Sequence, residues 1–464
     1  EVASRVREEA RAANDDGRRG HVGYWLVDDG RSALESALGY RPSLRVMAGR
    51  WVLRHAGRCS GAALATTGLA ALAVPALYMS TLEGTSLFVA GLALSVLPAS
   101  ILSVTLVHWI ITLSVPPRVL PKLDFERGIT SDCRAVVVMP VIIASAREVQ
   151  GLVERLEMHW LTNPDPLLQF ALLSDVADAP AQRMPGDEAV ERALVDGIRI
   201  LNERHAVDGE GRFHLLHRER QYNPSEGCWM GWERKRGKLE QFNRFVLGDD
   251  ARAFPLREGD SAALAGIRFV VTVDADTMLP LGSVQRLVGA MAHPLNRPDV
   301  DSRTQRSRAG YTVIQPRVEI SPESGTHSLF SRLYAGDTSI DIYSRAVSNV
   351  YQDLFGSGVF VGKGIYDVEA FHRTLEGRVP ENALLSHDLF EGAHGRVALA
   401  SDIVLYDGFP SGYLEYVHRL HRWIRGDWQL VPWLARRVPG TGDQVYQNPL
   451  SNLDRWRVLD NLRR

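Results

Sequence analysis

The stretch GIRFVVTVDADTMLP, residues 266–280, decides the fold and the kind of site that the sequence predicts. Its apolar, β-branched run from Ile267 to Val273 is typical of a buried strand. Asp274 and Asp276 follow where this strand passes into a loop. Because successive strand residues point to opposite faces, the chain must turn here if both carboxylates are to reach one site. Two such carboxylates can hold Mg²⁺ or Mn²⁺ against phosphate oxygens, and an ordinary acidic turn is the alternative.

The composition limits the class of protein. The length of 464 residues suggests more than one domain. The formal net charge of −2 provides no general attraction to nucleic acid, so no nucleic-acid partner is expected. The three cysteines, Cys59, Cys133 and Cys228, are far apart and odd in number, which argues against a disulfide scaffold or a structural zinc site and indicates a reducing compartment. The chain lacks an initiator Met and ends on Asn-Leu-Arg-Arg, so we expect it to be part of a longer protein.

Two apolar runs follow a charged, mostly helical N-terminal segment, residues 1–58. They cover residues 60–82 and 85–115, and each exceeds the roughly 20 residues that a helix needs to cross a membrane. Neither run shows a polar stripe, so we predict a transmembrane helical hairpin over residues 59–116. Two buried core helices are the alternative.

The charges that flank these runs predict their orientation. Arginines precede the first run, and Arg118 and Lys122 follow the second, whereas the short connector carries only Glu83. The positive-inside rule then places both flanks, and everything after residue 116, in the cytoplasm. The reduced state that the cysteine count indicates agrees with this orientation.

From residue 131 to residue 410, apolar strand patterns alternate with helical patterns. Strands are predicted at 134–143, 169–175, FHLLHR, IRFVVTVD and YTVIQPRVEI, and helices at 146–161, 187–205 and 327–355. This alternation predicts an α/β fold with a mainly parallel sheet, in which ligands bind at the carboxyl ends of the strands. Asp175 and Asp274 both fall at such ends, so we expect them to face one crevice.

Two residues of this region are candidates for binding a nucleotide donor. Asp175 can accept a hydrogen bond from a nucleotide base, or it can be a turn or helix-capping residue. Lys235 lies in the basic run Glu233-Arg234-Lys235-Arg236-Gly237-Lys238, which is predicted to open a helix. Such a turn can hold phosphate, and a solvated charge run is the alternative.

Asp388, in LLSHDLFEG, is the candidate general base. The same pattern also fits a helix N-terminus, with Ser386 as the cap and acids in the first turn. Both interpretations can hold together, since catalytic bases often lie at such termini. His387 is expected to have a structural role.

The sequence changes in texture after residue 411. Residues 411–464 mix Trp, Tyr, Arg and Leu at helical spacing, which predicts amphipathic helices at a membrane surface that lead to a further span. Within them, Arg419 and Arg422 share one face of a helix and can converge on a diphosphate, while Trp423 can stack on a sugar. Interfacial anchoring is the alternative for all three.

Two mechanisms fit the aspartates. The stretch VVTVDADTML satisfies the hhhDxDxT motif of the haloacid-dehalogenase phosphohydrolases, in which the first Asp is a nucleophile. That motif normally opens its domain, whereas a long αβ stretch precedes it here, and Asp402 and Asp407 are the nearest candidates for the late acidic pair. Transfer of a sugar from a nucleotide needs a metal, cations, a base and an aromatic floor, all of which this sequence offers.

In their order along the chain, Asp175, Asp274-x-Asp276, Asp388 and Arg419-x-x-Arg422-Trp423 resemble the processive inverting glycosyltransferases of the GT-A fold, which include cellulose, chitin and hyaluronan synthases. Arg419 stands where those enzymes have Gln, and Ser386-His387-Asp388 replaces their acidic stretch. A narrower similarity, to cyclic β-1,2-glucan synthase, is carried by HVGYWLVDDG, GWERKRGKLEQFN, SNVYQDLFGSGVFVGKGIYD, LLSHDLFEG and HRLHRWIRGDWQL. Another synthase of the cellulose or chitin type is the alternative.

This resemblance implies an α/β, GT-A (Rossmann-like) glycosyltransferase domain over residues 131–410, attached to the hairpin and the interfacial helices. It implies UDP-glucose as donor, a growing glucan chain as acceptor, Mg²⁺ or Mn²⁺ as cofactor, and a multi-pass protein in the lipid bilayer of a bacterial inner membrane. We expect the parent protein to carry further membrane spans and a phosphorylase-like region outside this sequence.

The resemblance also implies roles for individual residues. Asp276 would be the direct metal ligand, with Asp274 beside it on the nucleotide side. The residues expected to face the diphosphate are Lys235, Arg419 and Arg422. Those expected near the acceptor are Gly356, Ser357, Gly358 and Trp423. The family starts chains by glucosylating itself, and Tyr343 and Tyr351 are candidates for that role or are structural aromatics.

Overall fold

The computed structural model describes residues 2–13, 17–81, 84–206, 210–249, 252–335, 349–384, 386–442 and 444–463. The chain forms two compact units. We call the first the helical unit, and it consists of Glu1–Val119, Ala346–Gly358 and Ser451–Arg464. We call the second the sheet unit, and it consists of Leu120–Arg345 and Val359–Leu450.

The helices and strands have the following bounds. The α-helices are Val2–Ala12, Val22–Val27, Arg31–Ala37, Leu44–Arg54, Ala56–Met79, Thr85–Ser114, Ala146–Thr162, Asp187–His205, Arg234–Leu247, Ser283–Ala292, Pro322–Thr326, Leu329–Tyr334, Val350–Phe355, Val368–Leu375, Asp388–Gly395, Tyr413–Gln429 and Asn452–Asn461, with 3₁₀ turns at Ser131–Cys133, Ser261–Leu264 and Val431–Leu434. The strands are β1 Ala135–Ile143, β2 Leu168–Val176, β3 Phe213–His217, β4 Gln221–Asn223, β5 Cys228–Met230, β6 Leu256–Glu258, β7 Phe269–Thr272, β8 Asp299–Val300, β9 Ser307–Ala309, β10 Val313–Ile320, β11 Gly364–Asp367, β12 Val397–Asp407, β13 Arg437–Pro439 and β14 Val445–Gln447.

The sheet unit is built on one large sheet. In the part of the chain that the structure describes, its strand order is β12-β10-β11-β7-β1-β2-β3-β6. The pairs β1–β2, β1–β7, β2–β3 and β10–β12 are parallel, whereas β11 is antiparallel to both neighbours and β6 is antiparallel to β3. The prediction of an α/β fold with a mainly parallel sheet is therefore confirmed, and the arrangement is Rossmann-like.

Helices cover both faces of this sheet, which explains the almost continuous apolar runs of its central strands. Alternate residues of β1 enter two different cores. Val137 and Met139 pack with the helices Ala146–Thr162 and Asp187–His205, whereas Val136 packs against the Arg234–Leu247 helix on the other face. Full burial of one such side chain stabilises a fold by about 1.5–3 kcal/mol, so the two cores fix the register of the strands.

The direction of the strands brings several loops to one edge of the sheet. Six strands, β1, β2, β3, β7, β10 and β12, run the same way, so their carboxyl ends meet at this edge. Because β11 runs in the opposite direction, its amino end, which follows Lys363, lies at the same edge. We call this the carboxyl edge.

The predicted elements agree with the structure in most places. The helix predicted over 187–205 has those bounds, and the strand predicted over 134–143 is Ala135–Ile143. The continuous helix predicted over 327–355 is wrong at Asn349, whose backbone is extended and whose side chain caps a new helix by accepting a hydrogen bond from the backbone N–H of Gln352. The part of that prediction over 336–348 lies outside the described residues.

The helical unit contains the two apolar runs as helices of 24 and 30 residues, Ala56–Met79 and Thr85–Ser114. Both are long and apolar enough to cross a membrane, and within the described residues both are mostly exposed. Core helices of a soluble domain would be mostly buried instead. Hydroxyl groups join the two helices: Thr67 Oγ1 and Ser103 Oγ are 2.6 Å apart, and Ser103 also donates to the Leu64 carbonyl at 2.9 Å.

The segment predicted as interfacial helices is divided between the two units. The Tyr413–Gln429 helix belongs to the sheet unit, and the Asn452–Asn461 helix belongs to the helical unit. The second helix buries charged residues, among them Arg457 and Asp460. Its buried face packs inside its own unit, while exposed Tyr413 lies at the start of the first helix.

Candidate active site

The chain does turn after β7, as the pair of aspartates requires. The backbone N–H of Asp274 donates to Thr277 Oγ1 at 3.2 Å, and the backbone N–H of Thr277 donates to the Asp274 carbonyl at 3.1 Å. Met278 then pairs with Tyr406 of β12, its N–H lying 2.6 Å from the Tyr406 carbonyl oxygen. These bonds fix the turn at both ends.

Two lysines hold Asp274. Lys235 Nζ lies 2.6 Å from Oδ1 and Lys363 Nζ lies 3.1 Å from Oδ2, so each carboxylate oxygen has its own ammonium partner. Burial alone would raise the pKa of Asp274, but the two ammonium groups outweigh burial and hold its pKa well below the usual range. Asp274 is therefore ionised, and its charge is already neutralised by the protein.

Lys363 also joins Asp274 to Asp407, the last residue of β12. Its ammonium forms an ion pair with Asp407 Oδ2, while Thr277 donates to Asp407 Oδ1 at 2.7 Å. Burial would lower the pKa of Lys363, but the surrounding carboxylates outweigh it and raise that pKa far above its ordinary value. We call Lys235, Lys363, Asp274, Asp407 and Thr277 the turn clamp.

Asp276 differs from Asp274 because it makes no ion pair with a described residue. Burial raises its pKa, and the Coulomb repulsion of Asp407 and Asp274 adds to burial, whereas Lys363 and Arg419 act in the opposite sense. A carboxylate in this condition gains most from an added cation. Its donors suit Mg²⁺ or Mn²⁺, so Asp276 fits the metal that the sequence predicts.

The backbone at Gly408 leaves room for the Asp276 side chain. A Cβ atom at this position would lie 3.3 Å from both Cβ and Oδ2 of Asp276. Since Gly408 follows directly after β12, the carboxyl end of a second strand shapes the space around the unpaired carboxylate.

Asp175 lies at the end of β2 and is fully enclosed by cations. Arg218 donates from Nε and Nη2 to its two carboxylate oxygens, both at 2.7 Å, and Lys238 Nζ lies 3.0 Å from Oδ2. Burial would raise the pKa of Asp175, but Lys238 and Arg218 outweigh it and lower the pKa. Gly231 packs so closely that a Cβ there would lie 2.4 Å from Oδ2. Contact with a nucleotide base stays a prediction for this residue.

The helix Asp388–Gly395 begins at the candidate base, with acids in its first turn as predicted. The predicted cap is wrong: the N-cap residue is His387, and no side chain makes a capping hydrogen bond. Ser386 instead packs against Gly426 of the Tyr413–Gln429 helix, where a Cβ would lie 2.3 Å from the Ser386 Cβ. The serine therefore packs against a glycine of another helix and does not cap this one.

The Asp388 carboxylate lies against Gly362, whose backbone has φ of +88° and where a Cβ would be 2.7 Å from Oδ1. Lys235, which pairs with Asp274, also donates to the Gly362 carbonyl at 3.2 Å. The candidate base is thus a neighbour of the turn clamp. Among the described residues, Asp388 Oδ1 is buried and has no hydrogen-bond partner, although the side chain as a whole is 28% exposed.

His387 and Glu391 lie beside the base. His387 Nδ1 is 2.9 Å from Glu391 Oε1 and 3.6 Å from Asp388 Oδ1, and one ligand atom from each of the three residues lies within 4.8 Å of the others. Such spacing also suits a metal ion. An ion pair between His387 and Glu391 already accounts for the cluster, and a metal at Asp276 stays the prediction.

The Tyr413–Gln429 helix carries the late arginines and the tryptophan. The Arg419 guanidinium stacks over the Trp423 ring at 4.8 Å, a cation–π contact between residues i and i+4. Arg419 also acts electrostatically on Asp276, which places it at the same crevice. Arg422 is exposed. The contacts of these residues with a diphosphate or a sugar stay predictions.

The remaining acceptor candidates lie in the helical unit. Gly356 has φ of +66° and ends the helix Val350–Phe355, and Arg457 donates from Nη2 to the Ser357 carbonyl. Tyr351 is only 2% exposed and donates to Asp460 Oδ2 at 2.9 Å, which favours the structural role over glucosylation. Tyr343 lies outside the described residues.

Sequence reasoning missed Lys363 and weighed Asp407 only for the phosphohydrolase. The signal for Asp407 was available, because VALASDIVLYD is an apolar run that ends on an acid, like the run before Asp274. Nothing comparable marks Lys363, which precedes a strand and meets its partners only through the fold.

The fold and the site together define a Rossmann-like α/β protein with a charged crevice at the carboxyl edge of its strands. This crevice can hold a divalent cation at Asp276, offset negative charge with lysines, and accept a proton at Asp388.

Comparison with known proteins identifies the relatives of this chain. No family model matches it. It is 42% identical over 475 residues to the Cyclic beta-(1,2)-glucan synthase NdvB of Rhizobium meliloti (strain 1021), an alignment that covers 100% of this chain and 16% of that protein. The resemblance to cyclic β-1,2-glucan synthase is thereby confirmed for the whole chain. The chain spans about a sixth of the length of this curated relative.

Proposed function

We propose that this chain is the glucosyltransferase part of a cyclic β-1,2-glucan synthase. It transfers glucose from UDP-glucose to a growing β-1,2-glucan at the cytoplasmic face of a bacterial inner membrane. The observation that carries this proposal is that Lys235 pairs with Asp274 and lies near Asp388, at the edge of the sheet where Asp276 has no ion-pair partner among the described residues, in a chain 42% identical to a glucan synthase.

Different charged residues of the crevice would bind different parts of the donor. A Mg²⁺ or Mn²⁺ ion held by Asp276 would offset the charge of the departing diphosphate. Lys235 is half-buried beside Asp274 and supplies an ammonium that can also face phosphate oxygens. Arg419 and Arg422 lie three residues apart on one helix, so both guanidiniums would face the same diphosphate.

Asp388 performs the proton transfer. The 2-hydroxyl oxygen of the acceptor glucose attacks C1 of the α-linked donor, its proton passes to the Asp388 carboxylate, and the bond from C1 to the diphosphate oxygen breaks with its electron pair going to UDP. One displacement inverts C1 and gives a β-linkage. The Asp388 side chain is 28% exposed, so an acceptor hydroxyl can approach its carboxylate.

The two long apolar helices anchor this chemistry to the bilayer. Their exposed apolar surface in the structure is what a lipid environment would cover. Basic residues on both flanks then keep the crevice on the side where nucleotide sugars are made.

The phosphohydrolase alternative is less well supported by the geometry. A nucleophilic aspartate needs an unengaged oxygen, but both oxygens of Asp274 are paired with lysines. Asp402, half of the late acidic pair, forms ion pairs with Lys122 at 2.6 Å and Arg286 at 3.3 Å, so its charge is already neutralised.

The decisive test is incubation of membranes that contain the full-length protein with labelled UDP-glucose and Mg²⁺. We expect label in β-1,2-linked glucan. Label in a different polymer would support a synthase of the cellulose or chitin type, and phosphate released from phosphoesters would support the phosphohydrolase.

An Asp388→Asn variant isolates the base. The amide is close to the same size but cannot take the proton, so glucose transfer should fall at least roughly 100-fold while UDP binding stays within about twofold. Glucan synthesis at the wild-type rate by this variant would show that the base lies elsewhere.

A further inference from the structure

A buried pair of charges beside Asp388 has no part in the mechanism above. His387 and Glu391 are each 5% exposed, although both side chains are ionisable. Burying an ionisable group costs free energy unless the group is paired, so the interaction between these two side chains must offset the desolvation of both. If these residues served only to fill space, two non-polar side chains would do so without that desolvation cost.

The geometry connects the pair to the base. His387 Nδ1 lies 2.9 Å from Glu391 Oε1, one helical turn away, and 3.6 Å from Asp388 Oδ1. The imidazole is therefore in contact with Glu391 and faces the buried carboxylate oxygen of Asp388. Gly362 also lies against this carboxylate and gives it room because it has no Cβ.

The charges around His387 favour its protonated form. Burial lowers the pKa of His387, but the carboxylates of Glu391 and Asp388 outweigh both burial and the repulsion from Lys235, so that its pKa is raised above the ordinary 6.5. Lys235 belongs to the Arg234–Leu247 helix, and it is the cation that reaches His387 from a neighbouring element.

We propose that His387, held as an imidazolium by Glu391, is a positioning residue that keeps the Asp388 carboxylate aimed at the acceptor hydroxyl. This inference rests on the proposed glucosyl transfer. A carboxylate at the first position of a helix can adopt several rotamers, and a fixed cation together with the close backbone of Gly362 restricts where it can lie. His387 itself touches no substrate in this scheme.

The proposal predicts a pH dependence with a definite sign. His387 is charged and in place below its raised pKa, and the positioning is lost as the pH rises through that value. The rate of glucan synthesis should therefore have an alkaline limb that belongs to His387. Glu391 should set where this limb lies.

The experiment compares pH profiles of glucan synthesis by the full-length protein in membrane vesicles with labelled UDP-glucose. Glu391→Gln should move the alkaline limb down by about 1 pH unit or more, because the imidazolium loses its counter-charge. His387→Lys should move it up, because an ammonium stays charged to higher pH. Both changes should appear in kcat, with KM for UDP-glucose nearly unchanged.

Controls distinguish a failure of the positioning role from a failure of the proposed function. Glu369→Gln changes an exposed acid in the first turn of the Val368–Leu375 helix and should leave the profile unchanged. An alkaline limb that stays in place in both Glu391→Gln and His387→Lys would overturn the positioning role. If Glu391→Gln does not accumulate, His387→Lys alone decides. Wild-type membranes that make no glucan would instead overturn the proposed function.

Discussion

Asp175 and Asp276 can be compared directly because both lie where buried parallel strands of one sheet end. Asp175 receives two hydrogen bonds from Arg218 and an ion pair from Lys238, and its pKa is lowered. Asp276 has no ion-pair partner among the described residues, and its pKa is raised. The end of a strand determines where the acid lies, but the side chains around the acid determine whether its carboxylate is available to a ligand.

The largest effect should come from the unpaired acid. Asp276→Ala removes the carboxylate proposed to hold the metal, so Mg²⁺-dependent UDP binding should disappear and transfer should fall roughly 100- to 1000-fold. Titration of UDP with and without Mg²⁺ measures UDP binding, and the amount of labelled glucan measures transfer. Asp402→Ala removes an exposed carboxylate of the same sheet and should change neither. Unchanged UDP binding in Asp276→Ala would contradict the comparison.

The enclosed acid should affect stability instead. Asp175→Asn leaves Arg218 and Lys238 buried without their counter-charge, which should lower the free energy of unfolding by about 3–5 kcal/mol. Denaturant unfolding of the detergent-solubilised protein, followed by tryptophan fluorescence, measures this. A variant with wild-type stability but weaker UDP binding would assign Asp175 to the nucleotide base and remove the contrast.

Two glycines provide a matched pair with a smaller effect. A Cβ at Gly231 would lie 2.4 Å from Asp175 Oδ2, whereas one at Gly408 would lie 3.3 Å from Asp276 Oδ2. Gly231→Ala should therefore destabilise the protein by about 1–3 kcal/mol, and Gly408→Ala by less than about 1 kcal/mol. The same unfolding experiment measures both. Equal losses would mean that the two carboxylates are held equally tightly.

The smallest expected effect is a change in how steeply stability depends on pH. Burial lowers the pKa of Lys238 to about 8 from an ordinary 10.5. Between these values the unfolded chain binds a proton that the folded chain does not, so this lysine makes stability rise with pH in that window. Lys238→Met should flatten the dependence of Tm on pH between 8 and 10.5. Parallel curves for the two proteins would show that Lys238 titrates normally.

The fold could be predicted from local patterns because its strands and helices carry their own periodicity. The run from Ile267 to Val273 and the helix over 187–205 each depend on residues near in sequence. The location of Asp274 and Asp276 at the carboxyl edge follows from the same reasoning, since parallel strands align their carboxyl ends.

Contacts between distant segments could not be predicted in this way. Lys363 meets Asp274 across 89 positions and Asp407 across 44, and no spacing rule connects them. The cap at Ser386 failed because the helix begins at Asp388, so that His387 and not Ser386 holds the cap position. Nor does a sequence show that Arg218 and Lys238 enclose Asp175, although its position at a strand end was clear.

The contact between Gly426 and Ser386 has a mechanical consequence. Because a methyl group would not fit between them, the helix with Arg419 and Trp423 packs closely against the segment that carries Asp388. In the proposed mechanism, a displacement of that helix would therefore also shift the segment that carries Asp388. Replacing Gly426 by a larger residue would separate the two.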